Sequence, residues 1–256
     1  MYFDTHAHLA DDSLWGYVDD YITIAFENSV THINTIAIDC VSTDRLVELS
    51  KRHQNIFVSS GIPPTSIMNE HVEMIKRIEL AVENNELIAI GETGLDLYYT
   101  SENIQLQKEL FIKHLNIALD ANLPVIIHCR DAFSQVFEIL DTYYQEKDGF
   151  KPGVFHCFTG SQKELSELIA RGWYASFSGV VTYKSGQYLK ESLDQIPPDR
   201  FLLETDCPYL SPGPKREFPN QPAYLHKTVD YLAANERYAS LVKAAYSNAF
   251  NVFGLK

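Results

Sequence analysis

The chain has no apolar run near the roughly 18 residues that a membrane helix needs, and its first residues lack the basic and apolar segments of a signal peptide. A cytoplasmic protein that does not enter membranes is the expectation. Its four cysteines, Cys40, Cys129, Cys157 and Cys207, are widely spaced with no CxxC pair, which argues against a disulfide framework or a zinc ribbon. Cys129, Cys157 and Cys207 read as small core residues turned toward the helices. Cations are scarce too: 21 Lys and Arg stand against 34 Asp and Glu, a net charge of −13. That balance excludes a general nucleic-acid coat, which would need basic side chains against phosphates. It leaves nucleic acid open as a substrate, because bound divalent ions supply their own positive charge. There is no GxGxxG, no Walker sequence, no internal repeat and no low-complexity linker.

What the chain does have is a series of short apolar runs whose polar residues come last. They lie at Tyr2 to His6, Ile33 to Asp39, Ile56 to Ile62, Leu87 to Glu92, Pro124 to His128, Gly153 to Phe158, Trp173 to Ser178 and Phe201 to Asp206. Helical periods stand between them, as in Ile104, Phe111, Leu115 and Ala118, or Phe133, Val136, Phe137, Leu140 and Tyr144. Ser161 and Glu164 form a capping box that starts a helix after the sixth run. Eight strands alternating with helices, with chemistry at the strand ends, predict a single-domain α/β protein over residues 1–256, a (β/α)8 TIM barrel. An open doubly wound sheet gives a similar alternation. Five of the eleven prolines fall between Pro208 and Pro222, which makes that segment a stiff loop and, in a barrel, a wall of the active site.

The run ends carry His6, His8, Glu92, His128, His156 and Asp206, which together suit a two-metal hydrolytic site. Two histidines two apart in a strand point the same way, and Asp4 is expected on their face. Blander roles exist: His6 and His8 as hydrogen-bonded core residues, Glu92 as a helix cap, His128 and His156 as structural groups. Arg130 suits a phosphate or carboxylate. Glu204 and Asp206 should face one side, which calls for a cation or a proton to offset their repulsion and favours a metal site. His32, His53, His71, His114 and His226 read as surface or core residues. Tyr98 and Tyr99 suit stacking on a base or simple packing.

Taken together and in order, DTHAHL, GETGLD, PVIIHCRDA, GVFHCFTG and LLETDCPYL resemble the TatD family of metal-dependent hydrolases along nearly the whole chain. The resemblance implies a (β/α)8 barrel of the amidohydrolase type and deoxyribonuclease activity, most simply a 3′–5′ exonuclease on DNA. It implies two divalent cations (Zn, Mn, Mg, Fe or Co), one held by His6, His8, Glu92 and Asp206 and a second by His128 and His156, with Glu92 bridging. A hydroxide shared by the two ions would attack phosphorus, with Asp206 as the catalytic proton acceptor, Arg130 binding substrate and Glu204 supporting the ligands. Leu87 to Glu92 holds no lysine, which separates the chain from barrels bridged by a carboxylated lysine. Two departures fall outside the metal cage. The family's G-[IV]-H-P reads Gly61, Ile62, Pro63, Pro64, and its R-N-x-P loop reads Phe218, Pro219, Asn220, Gln221, Pro222. A metal-dependent esterase or amidase, such as an aminoacyl-ester deacylase, is the alternative, and a non-catalytic metal-binding module a more remote one. Nothing in the sequence indicates an obligate protein partner, so a monomer is favoured.

Overall fold

The computed structural model describes residues 1–67, 71–99, 101–214 and 219–256. Eight strands, β1 (Tyr2–Ala7), β2 (Val30–Ala37), β3 (Ile56–Ser60), β4 (Ala89–Asp96), β5 (Val125–Arg130), β6 (Val154–Phe155), β7 (Tyr174–Phe177) and β8 (Phe201–Leu203), pair in sequence order. Every pairing is parallel. The sheet meets itself where Ala7 bridges Cys207, Asp206 N–H donates to His6 O at 2.8 Å and His8 N–H donates to Cys207 O at 2.7 Å. The expected (β/α)8 barrel is what forms, and the open doubly wound sheet is excluded by that seam.

Two cores follow from this closure. The larger lies between strands and helices, where apolar stripes such as Phe111, Leu115 and Ala118 of the helix Ile104–Ala121 are buried. The smaller takes one residue from most strands, including Phe3, Ala89, Ile126, Val154 and Leu202, and packs them on Val252 and Phe253 of the C-terminal helix Ala239–Phe253. One barrel end is thus filled with side chains, as small barrels require.

Several strand ends differ from the sequence reading for local reasons. The second run stops at Ala37 because Asp39 caps the next helix, its carboxylate accepting from Ser42 N–H at 2.6 Å. The sixth is only Val154–Phe155, since Cys157 turns the chain at a φ of 43°. The fourth continues past Glu92 to Asp96. The Ser161 box forms as read: Ser161 N–H donates to Glu164 at 2.6 Å and Glu164 N–H to the Ser161 hydroxyl at 3.5 Å.

Of the histidines set aside above, His32 packs among Phe3, Phe57 and Tyr246, and His53 pairs with Asp19. His114 is fully buried in the helix Ile104–Ala121. Its Nδ1–H donates to Leu110 O at 2.6 Å while Nε2 accepts from Ile62 N–H at 3.1 Å, so only the neutral ring fits. Burial pushes its pKa from an ordinary 6.5 down to about 4. Between these values the unfolded chain takes up a proton that the folded chain refuses. Stability from this group is therefore full above pH 6.5 and falls by about 3 kcal/mol as pH drops through 4. Urea unfolding of metal-free protein between pH 7 and 4 should show this loss, and His114→Gln should flatten the acid limb. An equal slope in the variant would exclude His114 as its source.

Candidate metal centre

Two of the register shifts in the sheet lie at the site. β1 shifts register between Asp4 and Ala7, and β4 between Ile90 and Thr93. His6 and Glu92 emerge from these irregularities, where a bulge re-aims a side chain. The same shift breaks the simple alternation expected for β1. Asp4 does not join the histidines; its carboxylate accepts from Thr205 N–H at 2.9 Å and from the Thr205 hydroxyl.

Glu92, 5% exposed, is the centre of the cluster. Its Oε2 lies 3.3 Å from His6 Nε2 and 3.7 Å from His8 Nε2. Its Oε1 lies 2.8 Å from His128 Nδ1 and 3.1 Å from His156 Nε2. Asp206 Oδ1 stands 3.4 Å from His8 Nε2 and 3.7 Å from His6 Nε2. The His6 and His156 rings stack with centroids 3.9 Å apart. All six residues singled out by sequence are brought together.

Burial alone would raise the Glu92 carboxyl, but His156, His128 and His6 hold it well below the usual carboxylate range. Burial likewise opposes charge on His156, yet Glu92 and Glu204 lift it well above an ordinary imidazole. His8 is raised against burial by Asp206 and Glu92, and His128 by Asp96 and Glu92. His6 goes the other way, lowered by burial and by His156. The carboxylates are thus anionic and draw protons onto neighbouring imidazoles.

That donor set fits divalent cations. Imidazole nitrogens face each other at 3.3 Å on both sides of Glu92, His6 against His8 and His156 against His128, with a carboxylate oxygen completing each group. Three overlapping sets place their ligand atoms within 4.8 Å of one another: His6, His8 and Glu92; Glu92, His128 and His156; and His6, His156 and Asp206. A mixed nitrogen and oxygen cage of this kind suits first-row divalent metals.

Asp96, which the sequence reading passed over, orients this cage. Its Oδ2 is 2.9 Å from His128 Nε2, leaving Nδ1 to face Glu92, while Oδ1 accepts from Tyr98 N–H at 2.9 Å and Tyr99 N–H at 2.6 Å. A carboxylate behind an imidazole fixes its tautomer. Glu92 and Asp96 of GETGLD lie four apart in one strand, but the role of Asp96 depends on His128, which only the fold brings near. Glu204 is buried beside His156, with Oε1 accepting from Cys157 N–H at 2.7 Å and lying 3.6 Å from His156 Nδ1.

The surroundings correct one further expectation. Cys207 is a core residue and Cys129 is buried, but Cys129 and Cys157 both border a cavity, with Cys157 Sγ 3.4 Å from the Ser178 hydroxyl. Tyr98 and Tyr99, 59% and 71% exposed, pack edge-on against each other with centroids 4.6 Å apart, and Tyr98 lies under the Arg130 guanidinium at 5.0 Å. The stiff loop after Asp206 does wall the site, through Tyr209 and Leu210. Of the departures named above, Pro63 lines the larger cavity, Phe218 lies outside the described residues, and Asn220 is buried.

A model of TatD-related DNases matches residues 3–254. The chain belongs to the TatD family of metal-dependent hydrolases. It is 35% identical to the uncharacterized metal-dependent hydrolase YabD of Bacillus subtilis, over 91% of this chain and 90% of that one. It is 28% identical to the 3′-5′ ssDNA/RNA exonuclease TatD of Escherichia coli K12, over 99% of each. The crystal structure of YJJV, a TatD homologue from Escherichia coli, superposes with a TM-score of 0.89 at 23% identity, covering 100% of this chain and 98% of that chain.

Metal loading must displace protons from His8, His128 and His156, so affinity should fall with pH. Thermal unfolding is expected to rise with added Zn2+ or Mn2+, by about 2.7 kcal/mol in stability at one hundred times Kd. The rise should be smaller at pH 6 than at pH 8 and largely absent in Glu92→Gln. An undiminished shift in that variant would remove Glu92 from the metal site.

Proposed function

We propose that this TatD-family hydrolase cleaves phosphodiester bonds in single-stranded DNA, working inward from the 3′ end with two divalent cations at the cluster. The observation that carries this reading is the division of Glu92 between two imidazole pairs, one oxygen to each. The matched family and the exonuclease relative support nucleic acid as the substrate. His6, His8, Glu92 and Asp206 would hold one ion, and Glu92, His128 and His156 the other. Such a pair, when bound, acidifies water and neutralises charge on a phosphate.

The protein's own groups do the rest. Asp206 is kept below the usual carboxylate range by His8, His6 and His156 despite its burial, so it is ionised and able to accept the proton of the attacking water. Asp96 holds His128 in place from behind, and Glu204 supplies a buried negative charge 3.6 Å behind His156 Nδ1. Arg130, whose Nε is buried without a partner, offers its guanidinium to a phosphate oxygen. The described cysteines are all unpaired, which fits a reducing compartment, and among the described residues no helix is long and apolar enough to cross a membrane. We assign the chain to the cytoplasm.

Metal-stripped protein given Mg2+, Mn2+ or Zn2+ separately should cleave 5′-labelled single-stranded DNA to a ladder that shortens from the 3′ end. Asp206→Ala should lose at least about a hundredfold in rate with its fold intact. Failure with every metal would move the assignment to carboxylic esters or amides, and unchanged turnover in the variant would exclude Asp206.

Salt provides an independent check. Among its described lining residues the larger cavity holds Asp11, Asp12 and Asp39 and one Lys or Arg, Arg45, itself 3.3 Å from Asp12. With one or two phosphates contacted by side chains, KM for single-stranded DNA should rise only about threefold to sevenfold between 50 and 200 mM salt. A rise of a hundredfold or more would mean an extended basic track.

A further inference from the structure

The cluster stands between two cavities. The larger, of about 900 Å3, is bordered by Asp11, Arg45, Pro63 and Tyr209, and the smaller, of about 420 Å3, by Arg130, Thr159, Ser185 and Tyr188. Both reach Tyr99, His128, His156 and Asp206. A phosphodiester at the cluster therefore sends one arm into each.

One face of the smaller cavity is a packed seam. The connection after β7 is seated against the proline-rich loop so closely that a Cβ on Gly179 would lie 2.2 Å from Leu210 O. The Tyr183 hydroxyl donates to Ser211 O at 2.9 Å, and Gly213 N–H donates to the Thr182 hydroxyl at 2.8 Å. This seam closes the chamber toward β7 and β8. Its volume is near the low end of pockets that take one small ligand.

The chemistry of the chamber matches one nucleotide. Arg130 is the only Lys or Arg among its described lining residues, and its guanidinium is fixed over Tyr98 with Nε unpartnered. Tyr188, 49% exposed, presents a ring on which a base can stack, and Thr159 and Ser185 bring hydroxyls for a sugar.

We propose that the smaller chamber is the binding site for the terminal nucleotide of a single strand, its phosphate toward Arg130 and its base against Tyr188, with the strand body in the larger cavity. This rests on the phosphodiesterase reading above. The oxygen of water joins phosphorus, the P–O3′ bond breaks, and the proton accepted at Asp206 passes to the departing 3′ oxygen. A 5′-mononucleotide stays in the chamber while the shortened strand leaves with a new 3′ hydroxyl.

Two measurements test this. Calorimetry on the metal-loaded protein compares 5′-dTMP, thymidine and inorganic phosphate. The nucleotide is expected to bind at least about tenfold more tightly than either part, with Arg130→Gln and Tyr188→Ala each losing about tenfold against it. Tyr188→Ala should leave phosphate binding unchanged. Equal affinity for nucleotide and phosphate, or variants that bind dTMP as wild type does, would overturn the assignment. In the second, linear and circular single strands of one sequence are incubated with enzyme. Mononucleotides from the linear strand and an intact circle are expected. A circle cut as fast as the linear strand overturns the chamber but keeps the nuclease; if neither is cut the nuclease reading fails, and calorimetry alone then decides whether the chamber takes nucleotides.

Discussion

Glu92 is a charged group where a charge is costly. Moving a carboxylate out of water costs several kcal/mol even after relaxation, and is tolerated only with close partners on all sides. Four imidazole nitrogens between 2.8 and 3.7 Å from its two oxygens supply them. Those imidazoles come from β1 and the residue after it, from β5 and from just past β6. No two of those strands are adjacent except β5 and β6, so only a closed barrel brings them to one point. Closure of the sheet and assembly of the site are in this sense one event.

The weakest part of that closure lies next to the chemistry. β8 is three residues long and its ladder ends at Leu203, so Asp206 sits beyond regular pairing, in the left-handed region at a φ of 55°. A non-glycine residue there needs its neighbours fixed. Asp4 holds Thr205 by its N–H and hydroxyl, Asn220 donates to Thr205 O at 2.9 Å and to Tyr209 O at 2.6 Å, and His6 O receives Asp206 N–H. Burial pushes the Asp4 carboxyl up to about 8, against the pull of the hydrogen bonds it accepts from Thr205 and His6. The proline-rich loop returns through Asn220 to lock the turn it began from, which gives its stiffness a purpose beyond walling the cavity.

This division explains what the sequence discloses. His6, His8, Glu92, His128, His156 and Asp206 are conspicuous because each is polar at the close of an apolar run, and a strand end is where a barrel places its chemistry. The eight strands are legible for the same reason. Asp4, Asp96 and Asn220 are not, because each acts on a backbone group or ring brought close by the fold: Asp4 and Thr205 are 201 residues apart, Asp96 and His128 are 32 apart. Alternation also misplaces Asp4 and Cys157, since a register shift in one case and a left-handed turn in the other reset which face a side chain takes.

The acidic balance of the chain then bears on how a polyanion could be handled. A protein of net charge −13 with Asp11, Asp12 and Asp39 around its larger cavity repels a long strand at a distance. On the proposed reading attraction would be short-ranged, from cations held in the cage, from Arg130 and from exposed rings. Tyr99, Tyr188 and Tyr209, each about half exposed or more, border the cavities on either side of the cluster. Stacking is indifferent to net charge and is available only to unpaired bases, whereas a duplex offers mainly phosphates to a surface that rejects them. On the proposed reading, the charge that at first argues against nucleic acid becomes a selection rule: it removes long-range attraction for a strand and leaves affinity to the short-range contacts proposed near the strand's end.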